Sequence, residues 1–360
     1  MIFPGFSKTS RVWCVLTAFV CLGLTVDMAS AQSATGSQAT PKKTTTKKTI
    51  TRKSTTSRVS TTASATRRSR ARSRAATQAR LLREAQEPRF RLDESGALVP
   101  DVRAEAAIIY DSATGHVLWE SNSQNQRSIA SITKVMTAVV FLEDSPDLSD
   151  EIVVQPSDVR AASTTYLRAG YHVTKGDLLH LTLIASDNAA ARALARVSSL
   201  GSEAFISRMN SKAAELGLTN TSYADPSGLL SANVSSAYDM AKLITYVSND
   251  ERIASVMRTQ TYTVTAGRRV INIHSTNQLV MKGDVDVQAG KTGFISKAGY
   301  CLATLLQVPQ GSQVAVVVLG AATSTTRFWE ARHLFNWVVG RSNGLVGGEP
   351  APALASSHRD

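Results

Sequence analysis

The sequence predicts an α/β fold in which both ends of the folded part contribute strands to one sheet and the middle supplies helices. Alternating apolar runs at 106–121 are typical of a β-hairpin. Helical spacing dominates 128–247, and alternation returns over 261–319. The chain then forms an amphipathic helix bearing Phe328 and Phe335. Because helices bury their apolar stripes, we expect them to pack on the faces of the sheet.

The first 31 residues have the composition of an export signal. Lys8 and Arg11 precede an apolar run from Val12 to Val26, and Ala29-Ser30-Ala31 fits a small-x-small cleavage site. The apolar run is short for a membrane span, which favours cleavage and leaves a retained anchor as the alternative. We therefore predict an export signal peptide at 1–31.

Residues 32–97 are predicted to form a disordered basic linker. The 360-residue chain has a formal net charge of +12, and 14 Lys or Arg with no Asp or Glu lie between residues 32 and 83. The excess positive charge therefore belongs to this segment, and its Ser, Thr and Ala cannot offset the entropy of ordering it. Behind an export signal, an anionic envelope polymer is a better partner than nucleic acid, with a merely solvated tether as the alternative.

A folded domain is predicted at 98–342, followed by a flexible tail at 343–360. Cys14 and Cys21 leave with the signal peptide, so Cys301 is the one cysteine of the mature sequence and no intramolecular disulfide is expected. On an apolar strand, this cysteine is typical of a small core residue. The six histidines show no metal-ligand spacing, and we expect no metal or cofactor.

Ser131 and Lys134 share one face of a predicted helix. The apolar positions around them follow the i, i+3, i+4, i+7 spacing of a helix with one buried face: Ile132, Val135, Met136 and Val139. A serine hydroxyl is a weak nucleophile until a base takes its proton, and a lysine is such a base only when its pKa is lowered. A serine and a lysine at this spacing occur by chance about once or twice in a chain of this length, so further residues must support the site.

Two tripeptides further along the chain supply those residues. Ser186-Asp187-Asn188 separates two predicted helices, and Lys291-Thr292-Gly293 lies on a predicted strand. Each alone has a structural explanation, as a helix cap and as a strand end. Together with Ser131 and Lys134, in this order, they match the Ser-x-x-Lys, Ser-x-Asn and Lys-Thr-Gly set of penicillin-interacting serine enzymes.

On these motifs, residues 99–341 resemble the low-molecular-mass penicillin-binding proteins, the D-alanyl-D-alanine peptidases of family S11. Blocks at 209–217, 225–229, 233–237 and 291–299 share the likeness, which is best for the endopeptidase type. The resemblance implies a DD-peptidase/β-lactamase-like serine hydrolase with a five-stranded antiparallel sheet flanked by helices. It also implies export to the periplasm, peptidoglycan stem peptides as substrates and β-lactam antibiotics as covalent inhibitors.

The resemblance further implies catalytic roles. Ser131 would attack the carbonyl of the D-Ala peptide bond, and Lys134 would accept its proton, made less basic by burial and by a nearby like charge. Ser186 would pass a proton to the leaving amine. Asn188 would hold Lys134 and a substrate amide, whereas a helix-capping role suffices for Asp187.

The same resemblance implies how substrate is bound. Lys291 and Thr292 would bind the anionic end of the substrate, since an ammonium and a hydroxyl suit a carboxylate. Gly293 would permit close backbone approach. The backbone N–H groups of Ser131 and Phe294 would then form an oxyanion hole.

Three alternative functions share part of this sequence pattern: a strict carboxypeptidase, a class A β-lactamase and a non-catalytic wall-binding protein. A strict carboxypeptidase would use the same site, although the Gly-, Pro- and Ala-rich composition of 342–360 lacks an amphipathic anchor and favours the endopeptidase type by analogy. A class A β-lactamase needs a glutamate-activated water, and neither Glu203 nor Glu215 lies in a Glu-x-x-Leu-Asn context. A non-catalytic wall-binding protein is disfavoured because every motif position is intact.

Overall fold

The computed structural model describes residues 86–309 and 311–342, together with residues 70, 72, 73, 76, 77, 79, 80 and 83. The predicted signal peptide, most of the predicted linker and the predicted tail lie outside the described residues. All described residues belong to the unit Thr62–Asp360. None of the helices described is both long and apolar enough to cross a membrane.

The elements are numbered along the described part of the chain. The strands are β1 (Phe90–Leu92), β2 (Leu98–Pro100), β3 (Ala106–Asp111), β4 (Val117–Ser121), β5 (Arg127–Ser128), β6 (Glu151–Val153), β7 (His172–Thr174), β8 (Val234–Ser235), β9 (Thr261–Ala266), β10 (Arg269–His274), β11 (Val287–Ile295), β12 (Gly299–Gln307) and β13 (Gln313–Ala321). The α-helices are α1 (Thr133–Leu142), α2 (Pro156–Val159), α3 (Lys175–Leu183), α4 (Asn188–Val197), α5 (Gly201–Glu215), α6 (Ala237–Val247), α7 (Glu251–Arg258), α8 (Gln278–Lys282) and α9 (Ser324–Ser342).

A five-stranded antiparallel sheet lies at the centre, in the order β11-β12-β13-β3-β4. Strand β13 pairs with β3, so Ile108 faces Val317 and Ile109 faces Val316 across strands that are distant in sequence. The prediction of one sheet assembled from both ends of the folded part is therefore confirmed. Its inner strands β3, β12 and β13 are almost continuously apolar, because both faces of the sheet are covered there.

Two hydrophobic clusters cover the two faces of this sheet. Ile108 and Val317 belong to the larger cluster, which includes the buried sides of α1, α3, α4 and α6. Ile109 and Val316 belong to the smaller cluster, which includes α9. Successive strand residues point to opposite faces, so each strand contributes to both cores. Cys301 is fully buried in the larger cluster, as a core residue should be.

Predicted helix starts are explained by their capping residues. The Asp187 side chain accepts a hydrogen bond from Ala190 N at the start of α4. The Ser236 hydroxyl likewise accepts one from Asp239 N at the start of α6. Such caps satisfy backbone donors that have no partner within the helix, and each stabilises it by about 1 kcal/mol.

Two regions differ from the prediction. Strands β9 and β10, whose alternation suggested sheet strands, form a separate two-stranded hairpin. Ordered structure also begins before the predicted boundary at residue 98, because β1 pairs with β2. The Phe90 ring packs edge-on against His333 of α9, whose Nε2 lies 2.7 Å from Arg89 O. A few contacts to α9 therefore hold a segment whose composition is that of a linker.

Candidate active site

Ser131 lies in a 3₁₀ turn at Ala130–Ile132, immediately before α1, rather than in the first turn of an α-helix. The residue before it, Ala130, has a backbone φ of 49°, in the left-handed region that non-glycine residues rarely adopt. Such a conformation costs on the order of 1 kcal/mol or more, and is typical of functional sites. The turn places the Ser131 Oγ 3.0 Å from Lys134 Nζ.

Lys134 is fully buried, yet none of its hydrogen bonds is to a carboxylate. Its Nζ donates to Asn188 Oδ1 at 2.6 Å and to the carbonyl oxygen of Ser227 at 2.5 Å. Burial lowers the pKa of Lys134 to about 7, although the charges of Asp187 and Asp225 act in the opposite direction. Near neutral pH this amine is therefore able to accept a proton from Ser131.

A second serine–lysine pair lies on the opposite wall of the site. Lys291 Nζ donates to Ser186 Oγ at 2.8 Å and to the carbonyl oxygen of Thr292 at 3.0 Å. Ser186 has a backbone φ of 60°, a second left-handed position. Burial, then the charges of Lys134 and Arg327, hold the pKa of Lys291 well below its usual range.

Asn188 and Asp187, which directly follow Ser186, connect the site to the 162–166 loop. Asn188 Nδ2 donates to the carbonyl oxygen of Ala162 at 2.7 Å, so its side chain joins Lys134 to the 162–166 loop. Asp187 caps α4 and also accepts from Tyr166 N at 2.6 Å. Burial raises the pKa of Asp187, against the hydrogen bonds it accepts. Asp187 thus does more than cap a helix.

Two glycines allow backbone segments to meet at the nucleophile. A Cβ on Gly293 would lie 2.6 Å from Ile129 O and 3.1 Å from Ser131 N, so β11 runs directly against the nucleophile turn. A Cβ on Gly228 would lie 2.1 Å from Ala130 O. Any side chain at either position would push these backbones apart. The proximity of Gly293 to Ser131 N is compatible with the predicted oxyanion hole.

The two pairs border one open cleft of about 520 Å³. Its lining includes the residues Ser131, Ser163, Thr164, Ala185, Ser186, Asn188, Leu229, Thr276, Thr292, Gly293, Phe294, Ile295, Ser296 and Arg327. Six predicted site residues are in this set, and Lys134 and Lys291 lie beneath them. The Phe294 side chain is exposed at the cleft and stacks on Tyr300 at 4.2 Å. The structure therefore brings all the predicted site residues together.

Arg327 of α9 is a cleft residue that sequence reasoning missed. Its guanidinium is buried and donates to the carbonyl oxygens of Gly293 at 3.1 Å and Cys301 at 3.3 Å. Burial lowers the pKa of Arg327 to about 10, which leaves it charged near neutral pH. Its Nε has no hydrogen-bond partner among the described residues. A guanidinium in the cleft suits an anionic ligand. A charged residue on the apolar side of the predicted last helix was the available signal.

Asp225 is the second missed residue, and it acts through a loop. It accepts hydrogen bonds from the Ser227 hydroxyl, from Leu230 N at 3.1 Å and from Asn233 Nδ2 at 2.5 Å. Burial opposes ionisation, but these hydrogen bonds outweigh it and lower the pKa of Asp225. The loop so held presents the Ser227 carbonyl to Lys134.

The arrangement supports acyl transfer through a serine nucleophile. A neutral amine next to Ser131 can take its proton, and the second hydroxyl next to Lys291 can deliver one to a leaving group. Among the described residues, no group of three His, Cys, Asp or Glu side chains is placed to hold a metal ion.

Comparison with known proteins agrees with this chemistry. A family model described as D-alanyl-D-alanine carboxypeptidase, peptidase S11, matches residues 93–323. The D-alanyl-D-alanine endopeptidase of Escherichia coli (strain K12) is 34% identical over 264 residues, which cover 72% of this chain and 83% of that protein. The D-alanyl-D-alanine carboxypeptidase DacF of Bacillus subtilis is 34% identical over 232 residues, which cover 62% and 59%.

The fold is similar to that of a solved enzyme. The crystal structure of the Streptomyces K15 DD-transpeptidase matches 66% of this chain and 97% of its own with a TM-score of 0.62 and 28% identity. The predicted family and the predicted serine-hydrolase fold are both confirmed. The chain belongs to the peptidase S11 family, the serine-type D-alanyl-D-alanine peptidases.

Proposed function

We propose that this peptidase is exported to the periplasm and cleaves peptidoglycan stem peptides as a D-alanyl-D-alanine endopeptidase, with carboxypeptidase action on uncross-linked stems. The supporting observation is the pair of serine–lysine contacts across one cleft. Lys134 Nζ lies 3.0 Å from Ser131 Oγ, and Lys291 Nζ lies 2.8 Å from Ser186 Oγ. One pair forms the nucleophile, and the other supplies a proton and a positive charge.

Acylation follows from these contacts. Ser131 Oγ attacks the D-Ala carbonyl carbon, and its proton moves to the neutral Lys134 amine. Negative charge on the carbonyl oxygen is stabilised by backbone N–H groups at Ser131 and Phe294. When the C–N bond breaks, Ser186 gives a proton to the departing amine and takes one back from the lysines beside it, so that the proton first taken from Ser131 is passed on and Lys134 is neutral again. The substrate remains joined to Ser131 as an ester.

Deacylation reverses the proton path. Water attacks the ester carbonyl, and the Lys134 amine is again the nearest base for its proton. No carboxylate is present among the described residues that line the cleft. Fast hydrolysis of a penicilloyl ester of the class A type needs such a carboxylate, so we expect β-lactams to inhibit this protein rather than to be its substrates.

The leaving residue carries the negative charge that the cleft recognises. A terminal D-Ala bears a carboxylate next to the scissile nitrogen, and so does a cross-linked diamino acid of the diaminopimelate type. Thr292 and Arg327 supply a hydroxyl and a guanidinium at this end of the cleft. Burial lowers the pKa of Lys291, and a bound carboxylate raises it again, so the substrate itself favours the Lys291 ammonium. This anion site therefore serves both reactions, and the open cleft leaves room for the rest of a cross-linked peptide.

Endopeptidase action is supported by the names of several relatives and by the openness of the cleft. Three of the similar curated proteins are named D-alanyl-D-alanine endopeptidase. Incubation of the purified protein with cross-linked and monomeric muropeptides, followed by chromatography of the products, tests the assignment. We expect dimers to be split. Release of free D-Ala from monomers with dimers left intact would identify a strict carboxypeptidase instead.

Covalent labelling tests the nucleophile. Fluorescent penicillin should label the wild-type protein and fail to label Ser131→Ala. Ser296→Ala removes another cleft hydroxyl and serves as the matched control, which should be labelled normally. Labelling that persists in Ser131→Ala would contradict the mechanism.

The basic linker is proposed to hold the enzyme against an anionic envelope polymer. Its 14 Lys or Arg between residues 32 and 83 support this proposal. Cell-wall sedimentation of the full chain and of a chain lacking 32–83 should differ at low salt and converge at high salt, because added ions screen the attraction. Equal sedimentation at low salt would show a solvated tether.

A further inference from the structure

A second threonine faces the cleft beside Thr292. Thr276 lies in the connection between β10 and α8 and lines the same cleft. Its Oγ1 is 2.7 Å from the Oγ1 of Thr292. The backbone N–H of Thr276 donates to Ile184 O at 3.1 Å, which joins this connection to the segment leading to Ser186. Thr276 is thus held by contacts to Thr292 of β11 and to the segment that precedes Ser186.

The two hydroxyls differ in accessibility. Thr292 is only 4% exposed, whereas Thr276 is exposed at the cleft. Two hydroxyls that share one hydrogen bond use one of their two protons, so the other proton is free to be donated. A carboxylate only accepts hydrogen bonds. If Thr292 donates to Thr276, the free proton is on the exposed hydroxyl, where a ligand can reach it.

We propose that Thr276 is a substrate-binding residue that donates a hydrogen bond to the carboxylate of the leaving amino acid, together with Lys291, Thr292 and Arg327. This inference rests on the anion site proposed above. Thr276 comes from the connection between β10 and α8 and Arg327 from α9, so groups from separate segments bind the carboxylate together. The exposed hydroxyl selects for a charged leaving residue.

Paired substrates test the proposal. An acyl-D-Ala-D-Ala peptide with a free carboxylate is compared with the same peptide ending in a carboxamide, and kcat/KM is measured for each. Thr276→Val keeps the shape of the side chain and removes the hydroxyl. We expect the ratio of kcat/KM for the carboxylate peptide to kcat/KM for the carboxamide peptide to fall about tenfold in this variant, as for loss of a hydrogen bond to a charged group. Thr276→Ser keeps the hydroxyl and should keep the ratio within about threefold of wild type.

Thr263→Val is the matched control. Thr263 is an exposed threonine of β9 whose hydroxyl also bonds a side chain, Asn272 Oδ1 at 2.9 Å, but it does not line the cleft. Its ratio should equal that of wild type. Equal losses on both peptides in Thr276→Val would indicate a merely structural role, and no loss would remove Thr276 from the site; either result overturns the proposal.

A second measurement uses acylation by a penicillin in place of peptide hydrolysis, which can be slow. The rate of acylation by a penicillin is compared with that by its methyl ester, which lacks the free carboxylate. Thr276→Val should slow the first more than the second. These measurements are independent of the endopeptidase assignment. A strict carboxypeptidase would leave cross-linked dimers intact and would still show the effect of Thr276→Val on both measurements.

Discussion

Two clusters of basic side chains in this protein have opposite properties. In the active site, Lys134 is fully buried and bonds neutral oxygens, and burial lowers its pKa to about 7. On the surface, Lys212 bonds Glu143 at 2.7 Å and Glu215 at 3.2 Å, and the Glu143 contact raises its pKa. The residue type is the same. For these two lysines, direct contact with a carboxylate is what separates the amine that stays charged from the amine that can lose its proton near neutral pH.

The comparison explains why two acids lie near Lys134, the proposed base, without bonding to it directly. Asp187 and Asp225 raise the pKa of Lys134 through their charge, yet their side-chain hydrogen bonds go to the 165–166 loop and to the 227–233 loop. A direct ion pair would keep the ammonium charged and unable to accept a proton. The acids therefore hold the loops around the base.

The largest expected effect is on the acylation rate, which should depend on Lys134 and not on Lys212. Lys134→Gln keeps a hydrogen-bond donor but removes the base, so we expect acylation by penicillin to slow by about 10³-fold or more, near the range for loss of a general base. Lys212→Gln removes a surface partner and should leave acylation unchanged. Stopped-flow or gel-based acylation rates measure both. Comparable losses in the two variants would refute the contrast.

The next effect is on pH dependence. Because Lys134 must be neutral to take the serine proton, acylation should rise with pH, reach half its maximum near pH 7 and fall about tenfold for each pH unit below that. A charged lysine of the surface type would give half-maximal rates only well above pH 9. The second-order acylation rate measured from pH 5 to pH 9 distinguishes them, and a flat profile would contradict the assignment of Lys134 as base.

A smaller effect is expected at the loop that supports Lys134. Asp225→Asn weakens the acceptors for Ser227 and Asn233, so the Ser227 carbonyl is held less firmly, and we expect acylation to slow roughly tenfold as for one weakened charged hydrogen bond. Asp147 bonds Ser149 through the same two-residue turn on the surface. Asp147→Asn should therefore leave the acylation rate at the wild-type value, and a similar loss in both variants would exclude a positioning role.

The smallest effect is on the surface cluster itself. Glu143→Gln removes ion pairs with Arg208 and Lys212 that are partly open to solvent. We expect the free energy of unfolding to fall by less than about 1 kcal/mol, because exposed ion pairs are weak. Urea denaturation at low and high salt measures this loss, which should shrink as salt screens the charges. A loss that is large and independent of salt would show that packing dominates.

The sequence allowed prediction of the motif residues but not of their supports. Ser131, Lys134, Ser186 and Lys291 lie in three short motifs that, taken together and in this order, indicate a penicillin-interacting serine enzyme. Arg327 extends from α9 to the cleft, where it donates to two backbone carbonyl oxygens, those of Gly293 and Cys301. No local sequence pattern predicts such a contact between distant segments. The sheet was predictable because its inner strands are short apolar runs, as expected for strands buried on both faces.

Other misses have the same physical origin. The 3₁₀ turn at Ser131 depends on a left-handed residue, Ala130, which propensity does not favour. In the sequence, Thr276 cannot be distinguished from an ordinary threonine of a turn, because its contact with Thr292 of β11 exists only in the folded structure. The β9–β10 hairpin has the alternation of a sheet strand, and only tertiary packing separates it from the main sheet.

The pairing of β3 with β13 determines when activity can begin. The turn bearing the nucleophile rests against Gly293, in a strand that joins the sheet only through β12 and β13. During synthesis, Ser131 and Lys134 emerge long before these strands, and contacts between distant segments form slowly. A growing chain is therefore inert until its last strands arrive, so a wall-cutting enzyme built this way cannot act while it is still incomplete.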